Sequence, residues 1–73
     1  MILDKLIALI CDVFALDESD VDEDTTLELF ANDEFEIQEL VSAIEEEFEV
    51  TLTEKPADDW TVRDLADAIN TAG

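Results

Sequence analysis

Leu3, Leu6, Ile7, Ile10 and Phe14 stand at i, i+3, i+4, i+7 and i+11, and the same spacing returns at Ile37, Leu40, Val41, Ile44 and Phe48. At 3.6 residues per turn this pattern lines one face of a helix and no face of a strand. It predicts helices over Ile2–Ala15 and Glu34–Glu47. A shorter stripe of Val62, Leu65, Ala66 and Ile69 predicts a third over Thr61–Thr71. Ile2, Leu9 and Val13 lie off the first stripe, so the first helix is expected to be covered on more than one side. Three such stripes can be satisfied only by packing against one another.

The segments between the stripes supply the starts and stops. Asp33-Glu34-Phe35-Glu36 reads as a capping box, with Asp33 accepting from the free N–H groups of the first turn and Glu36 reaching back. Thr61-Val62-Arg63-Asp64 reads as a second one. Pro56 suits the first position of a single helical turn running to about Trp60, and the end at Asn70-Thr71-Ala72-Gly73 is expected to fray into a C-cap. Glu49-Val50-Thr51-Leu52-Thr53 alternates in polarity but has no strand to pair with. The 17-residue stretch Leu16–Asn32 is an ordered loop, longer than usual, pinned to the core by Val21, Leu27, Leu29 and Phe30. Its length hints at function or at a short helix within it. The expected fold is all-α, one domain over residues 1–73: a small four-helix bundle of three main helices and one short one.

Charge narrows the chemistry. Three Lys and Arg against 22 Asp and Glu leave a net −19, and there is no histidine. An imidazole base, Ser-His or Cys-His catalysis and a histidine metal site are thereby excluded. A surface of that sign repels nucleic-acid phosphates and anionic lipid headgroups, so neither nucleic acid nor membrane is an expected partner. The single cysteine, Cys11, rules out an internal disulfide and a zinc cluster. It has no basic neighbour beyond Lys5 and is expected to be inert core. Met1–Cys11 does not fit a signal peptide, since Asp4 falls in the would-be cationic region and Asp12 closes a short apolar run. No stretch approaches a membrane span, and a cytosolic monomer is expected. Nothing in the chain supports catalysis.

Asp20-Val21-Asp22-Glu23-Asp24 imitates the opening of a calcium-binding EF-hand loop, but Thr25 stands where glycine is needed and Ala31 where the bidentate glutamate should be. No dedicated metal site is expected; loose divalent binding by clustered carboxylates is the remaining form of that idea. Trp60 is expected to cover the core. Phe35 either caps the core or stays exposed for a partner. Glu45, Glu46 and Glu47 crowd the negative end of the second helix, an electrostatic cost unless a cation or a partner offsets it.

The run Asn32-Asp33-Glu34-Phe35-Glu36-Ile37-Gln38-Glu39-Leu40-Val41-Ser42-Ala43-Ile44-Glu45-Glu46-Glu47-Phe48 resembles the second helix of acyl carrier proteins. The likeness covers nearly the whole chain. Phe14-Ala15-Leu16 stands where that family has Leu-Gly-Val, Val21 and Leu27 match the apolar pins of its long loop, Val50-Thr51-Leu52 its connector, and Thr61-Val62-Arg63-Asp64-Leu65 the start of its last helix. The family carries 4′-phosphopantetheine on the serine of an Asp-Ser-Leu motif. Here the motif reads Asp33-Glu34-Phe35, so the resemblance places Glu34 at the attachment position and implies no cofactor. Neither Ser42, two turns into the helix, nor Ser19, far back in the loop, replaces that serine. The departures cluster: Ala31 replaces the glycine before the motif, the loop is one residue shorter around Glu28-Leu29-Phe30, and two apolar positions that face partner enzymes are Gln38 and Ser42.

Two functional readings follow from the resemblance. In the first, the chain is an acidic module that docks on acyl-handling or other carrier-dependent enzymes through their basic patches, using Asp33, Glu34, Phe35, Gln38, Glu39, Ser42, Glu45 and Glu46, without an arm. In the second it is a genuine carrier of fatty-acid or polyketide-type synthesis whose attachment residue is altered in this sequence. The first accounts for Ala31, Gln38 and Ser42 as well as Glu34. A third reading, a weak divalent-cation-binding acidic domain, rests on charge alone. In a chain with 22 acids, any one glutamate is also explained as part of a solvated face.

Overall fold

The structure, a computed structural model, describes residues 1–72. Three helices form where the stripes lie: α1, Ile2–Phe14; α2, Glu34–Phe48; and α3, Val62–Ala72. Leu6 and Ile10 of α1, Leu40 and Ile44 of α2, and Val62 and Leu65 of α3 are fully buried, together with Leu27 from the long loop. Burying a Leu or Ile side chain contributes about 1.5–3 kcal/mol, so these few residues supply much of what holds the bundle together. No polar side chain is buried among the described residues. Leu3, Ile7, Phe14, Val41, Phe48 and Ala66, also on the stripes, are half-buried at the edge of this core. Of the off-stripe residues of α1, Ile2 and Leu9 pack there too, and Val13 is half-buried.

Helices α1 and α2 end by the same device. Ala15 (φ 55°, ψ 48°) and Glu49 (φ 55°, ψ 46°) adopt the left-handed conformation. The amides of Leu16 and Val50 then reach back to the carbonyls of Cys11 and Glu45, at 2.9 and 3.2 Å. These are Schellman closures, built without glycine, since the chain's one glycine is Gly73. Ala15 is therefore a cap rather than the last helical residue. At the other end, α3 continues through Asn70 and Thr71 as regular helix instead of fraying, and Thr71 Oγ1 donates to the Asp67 carbonyl at 2.9 Å. Gly73, part of the expected C-cap, lies outside the described residues.

The connections depart from expectation in two places. The short helical pieces lie inside the long loop, as 3-10 turns at Glu18–Asp20 and Leu27–Leu29, and Pro56–Trp60 holds only a hydrogen-bonded turn, Trp60 N–H to Ala57 carbonyl at 3.1 Å. Pro56 is itself buried, so its ring acts as a core contact rather than as a helix start. Leu29, expected as a pin, is 68% exposed; Val21, Leu27, Phe30 and Ala31 are the buried side chains of the loop. The 3-10 turn explains this, because at three residues per turn Leu29 lies about 120° around the axis from the inward-facing Leu27. Phe30 also packs on Phe14, ring centroids 5.3 Å apart.

Candidate functional site

The start of α2 is the region the resemblance singles out. Asp33 is extended (φ −129°, ψ 167°), and its side chain accepts from the Glu36 N–H at 2.8 Å. Only this half of the expected capping box is formed here. The box at α3 is complete: Thr61 N–H to Asp64 Oδ2 at 3.0 Å and Asp64 N–H to Thr61 Oγ1 at 3.2 Å. Capping Asp33 in this way orients the first turn of α2 and turns the Glu34 and Phe35 side chains outward. Glu34 forms an ion pair with Lys55, 21 residues further along the chain. The bond from that ammonium and its positive charge hold the Glu34 carboxyl below the ordinary glutamate range. At the position the resemblance aligns with an attachment serine, the chain thus holds an ionised carboxylate already engaged by a cation. Phe35 is 87% exposed, which decides its ambiguity: it does not cap the core.

Gln38, Glu39, Ser42 and Glu46 follow on exposed positions of α2. Glu45 differs from them. It is half-buried, and its Oε2 accepts from the Leu52 N–H at 2.9 Å, tying the connector to the helix. Between α2 and this connector runs an open groove of about 310 Å³, with Ile37, Val41 and Leu52 as its apolar lining and Gln38, Glu45 and Lys55 among its polar residues. The groove brings together Gln38, Glu45 and, through Lys55, Glu34. Glu39, Ser42 and Glu46 do not line it.

At the other end of α2, where Glu45, Glu46 and Glu47 crowd, a cation meets the helix backbone rather than their carboxylates. Lys5 Nζ donates to the Glu47 carbonyl at 3.4 Å and stands 4.9 Å from the Phe48 ring centroid. A cation at the negative end of the helix is favourable, and its place over an aromatic face adds to that. The third cation, Arg63, bonds Glu23 Oε1 at 2.5 Å and lies 3.8 Å from Asp24 Oδ1. All three Lys and Arg side chains are therefore engaged by the chain's own residues.

The remaining candidates resolve as follows. In the calcium-like segment, Asp22 Oδ1 accepts from the Asp24 N–H at 2.9 Å and from Thr25 Oγ1 at 3.2 Å, so that carboxylate closes a local turn. Among the described residues no group of three or more Cys, Asp or Glu side chains is placed to hold a metal ion. The Cys11 thiol is buried and pushed up in pKa by that burial first, then by Glu18, Asp17 and Asp20, the reverse of what a reactive thiol needs. Trp60 is half-buried against the core, as expected of a cover. No helix of the structure is long and apolar enough to cross a membrane. The sequence reading missed Lys55 and the exposure of Leu29. A signal for Lys55 existed, because a cation among so many acids will find one; the choice of Glu34 depended on the folded path of the connector.

The fold is a small all-helical domain in which a long ordered loop leads into a capped second helix. The family model described as "Phosphopantetheine attachment site" matches residues 4–69, and the chain belongs to that family. Domains of this family are carriers rather than catalysts, and they work in contact with enzymes.

Proposed function

We propose that this chain is an acidic docking module of the carrier-protein type, which engages enzymes of acyl, fatty-acid or related metabolism through α2 and carries no phosphopantetheine arm. The observation that carries this reading is Glu34, ion-paired with Lys55 at the first position of α2. Loading requires a hydroxyl oxygen to attack the diphosphate of coenzyme A. A carboxylate there would give an acyl phosphate, which hydrolyses, and its charge repels the incoming diphosphate. The exposed carboxylates Asp33, Glu39 and Glu46, with Phe35, Gln38 and Ser42 between them, offer a basic patch both charge and shape. Such surface charges act mainly on association rate and register. Glu45 supports the docking helix from within by holding the connector.

Mass spectrometry after incubation with a phosphopantetheinyl transferase and coenzyme A tests the reading: the mass should not change. A gain equal to the phosphopantetheine arm on any residue overturns it. The family match extends across the motif region, which favours as the second reading a carrier with an altered attachment residue. Glu34→Ser separates the two. Ready loading of that variant points to the altered carrier; poor loading shows that Ala31 and the shorter loop have also left carrier function behind.

A further inference from the structure

Glu49-Val50-Thr51-Leu52-Thr53 has the residue types and alternation of a strand, and docking through α2 makes no use of it. The folded chain keeps the alternation: Val50 and Leu52 are half-buried, Thr51 and Thr53 exposed. The amides of the two buried positions turn to α2. Val50 N–H donates to the Glu45 carbonyl at 3.2 Å, and Leu52 N–H donates to Glu45 Oε2 at 2.9 Å. Successive N–H groups of an extended backbone point to opposite edges, so the Thr51 amide between them is directed away from α2. Among the described residues, neither the N–H nor the C=O of Thr51 or Thr53 bonds within the chain. Thr51–Thr53 is thus a short strand edge with no neighbour.

Beyond that edge lies a groove. α2 and α3 both pack on α1 but make little direct contact with each other. The connector has an open groove on each side, the one described above toward α2 and a larger one toward α3. The second, about 440 Å³, runs between residues 51–54 and the Asp67, Ala68 and Ala72 side of α3. The two alanines leave room on that wall for an added chain. Glu54 and Asp67 are exposed carboxylates of this groove, and the Lys and Arg side chains are engaged elsewhere, at Glu47, Glu34 and Glu23. A second copy of the chain would set −19 against −19. A basic segment meets attraction instead.

We propose that the connector edge at Thr51–Thr53 accepts an extended basic segment of a partner protein as an added strand, seated in the groove against α3. Backbone bonds to Thr51 and Thr53 supply affinity, and Lys or Arg side chains of the segment reach Glu54 and Asp67. The site lies on the far side of the connector from α2 and does not depend on the docking helix.

A short blocked peptide of alternating Lys and Val, titrated against the isotope-labelled full chain, tests the added strand. At saturation the Thr51 and Thr53 amides should exchange with solvent at least about fivefold more slowly. Shift changes should concentrate in residues 50–54 and 67–72. The fully backbone-N-methylated peptide, equal in length and charge, donates no main-chain hydrogen bond and should bind about tenfold or more weakly. Thr51→Pro removes the free amide, leaves the Leu52–Glu45 bond in place, and should weaken the first peptide about fivefold. Should that variant fail to fold, the N-methylated peptide puts the same question to the unaltered chain. Glu54→Gln with Asp67→Asn should weaken binding about two- to fivefold, and the charge-matched Glu39→Gln with Glu46→Gln less than about twofold. Equal binding of the two peptides, or unchanged exchange at Thr51 and Thr53, overturns the proposal. So does a larger loss from the α2 pair than from the groove pair, which would leave the docking helix as the peptide's target.

Discussion

The loop over residues 16–32 and the first part of the connector, residues 51–55, each carry the chain between helices, and they are held in opposite ways. The loop is bonded through its backbone. Leu27 and Glu28 donate to Trp60 and Asp58, and Val62 and Arg63 donate to Thr25 and Glu23, all between 2.9 and 3.0 Å. A bridge pairs Thr26 with Thr61, and the Arg63–Glu23 ion pair lies across the same junction. Four buried side chains complete the attachment. The connector, between Thr51 and Lys55, has two side-chain ties, the Glu45 bond to the Leu52 amide and the Lys55–Glu34 pair, over the half-buried Leu52. Length alone is therefore a poor guide to mobility. The longer segment is the more firmly fixed, because its amides and carbonyls bond to residues 58–63 and four of its side chains are buried, whereas residues 51–55 are held by the Leu52 amide and the Lys55 side chain.

The largest test of this contrast is a matched pair of truncations. Leu27→Ala, at a fully buried site, should cost about 3 kcal/mol, and Leu52→Ala about 1 kcal/mol. Urea melts with unchanged slope would measure both. Equal losses would mean that the connector is as much part of the core as the loop, and the contrast would fail.

A smaller effect compares the two places where these segments begin. A side chain with a Cβ in the left-handed conformation costs about 1–2 kcal/mol, part of which glycine gives back through a freer unfolded chain. Ala15→Gly and Glu49→Gly should each raise stability by roughly 0.5–1 kcal/mol, a melting shift of several degrees for a domain of this size. A clear gain at Ala15 with none at Glu49 would sharpen the contrast, showing that the connector turn relaxes where the loop turn cannot. Loss at both would show that the left-handed closures are not formed.

The smallest effect concerns the connector's ion pair. Its pairing with Lys55 lowers the folded pKa of Glu34 below the unfolded value. The pair thus stabilises the fold above the unfolded glutamate pKa, and that contribution is lost as pH falls through the depressed value. Lys55→Met should return Glu34 to the ordinary glutamate range in an NMR pH titration while barely moving the melting temperature, because the pair is exposed. Identical Glu34 titrations in the two proteins would show that the tie is absent in solution and leave the connector held by Leu52 and Glu45 alone.

Much of the fold was legible because its signals are local. The stripes at i, i+3, i+4 and i+7 and the boxes beginning at Asp33 and Thr61 need only near neighbours, and the helices they imply agree with those observed to within a residue at most ends. The candidate site was legible in part. Asp33 as a cap and Glu34 at the first helical position follow from the same local rules. Leu29 was misplaced because periodicity cannot assign direction inside a 3-10 turn, and Pro56 because the same residue suits a helix start and a buried turn equally well.

What the sequence by itself determined is the helical class, the single core, the excess of carboxylates and the absence of imidazole and paired thiols. These follow from side-chain chemistry and from spacing within a few residues. Only the tertiary structure decided where the three scarce cations go: Lys5 to the end of α2, Lys55 to Glu34 and Arg63 to Glu23, across 42, 21 and 40 residues of chain. It also decided that the long loop binds residues 58–63, up to the start of α3, through its backbone while Leu29 and Phe35 stay in water. The reason is physical: with 22 acids competing for three Lys and Arg side chains, the choice of partner depends on which carboxylate or carbonyl packing brings within bonding distance, and packing is a property of the whole bundle.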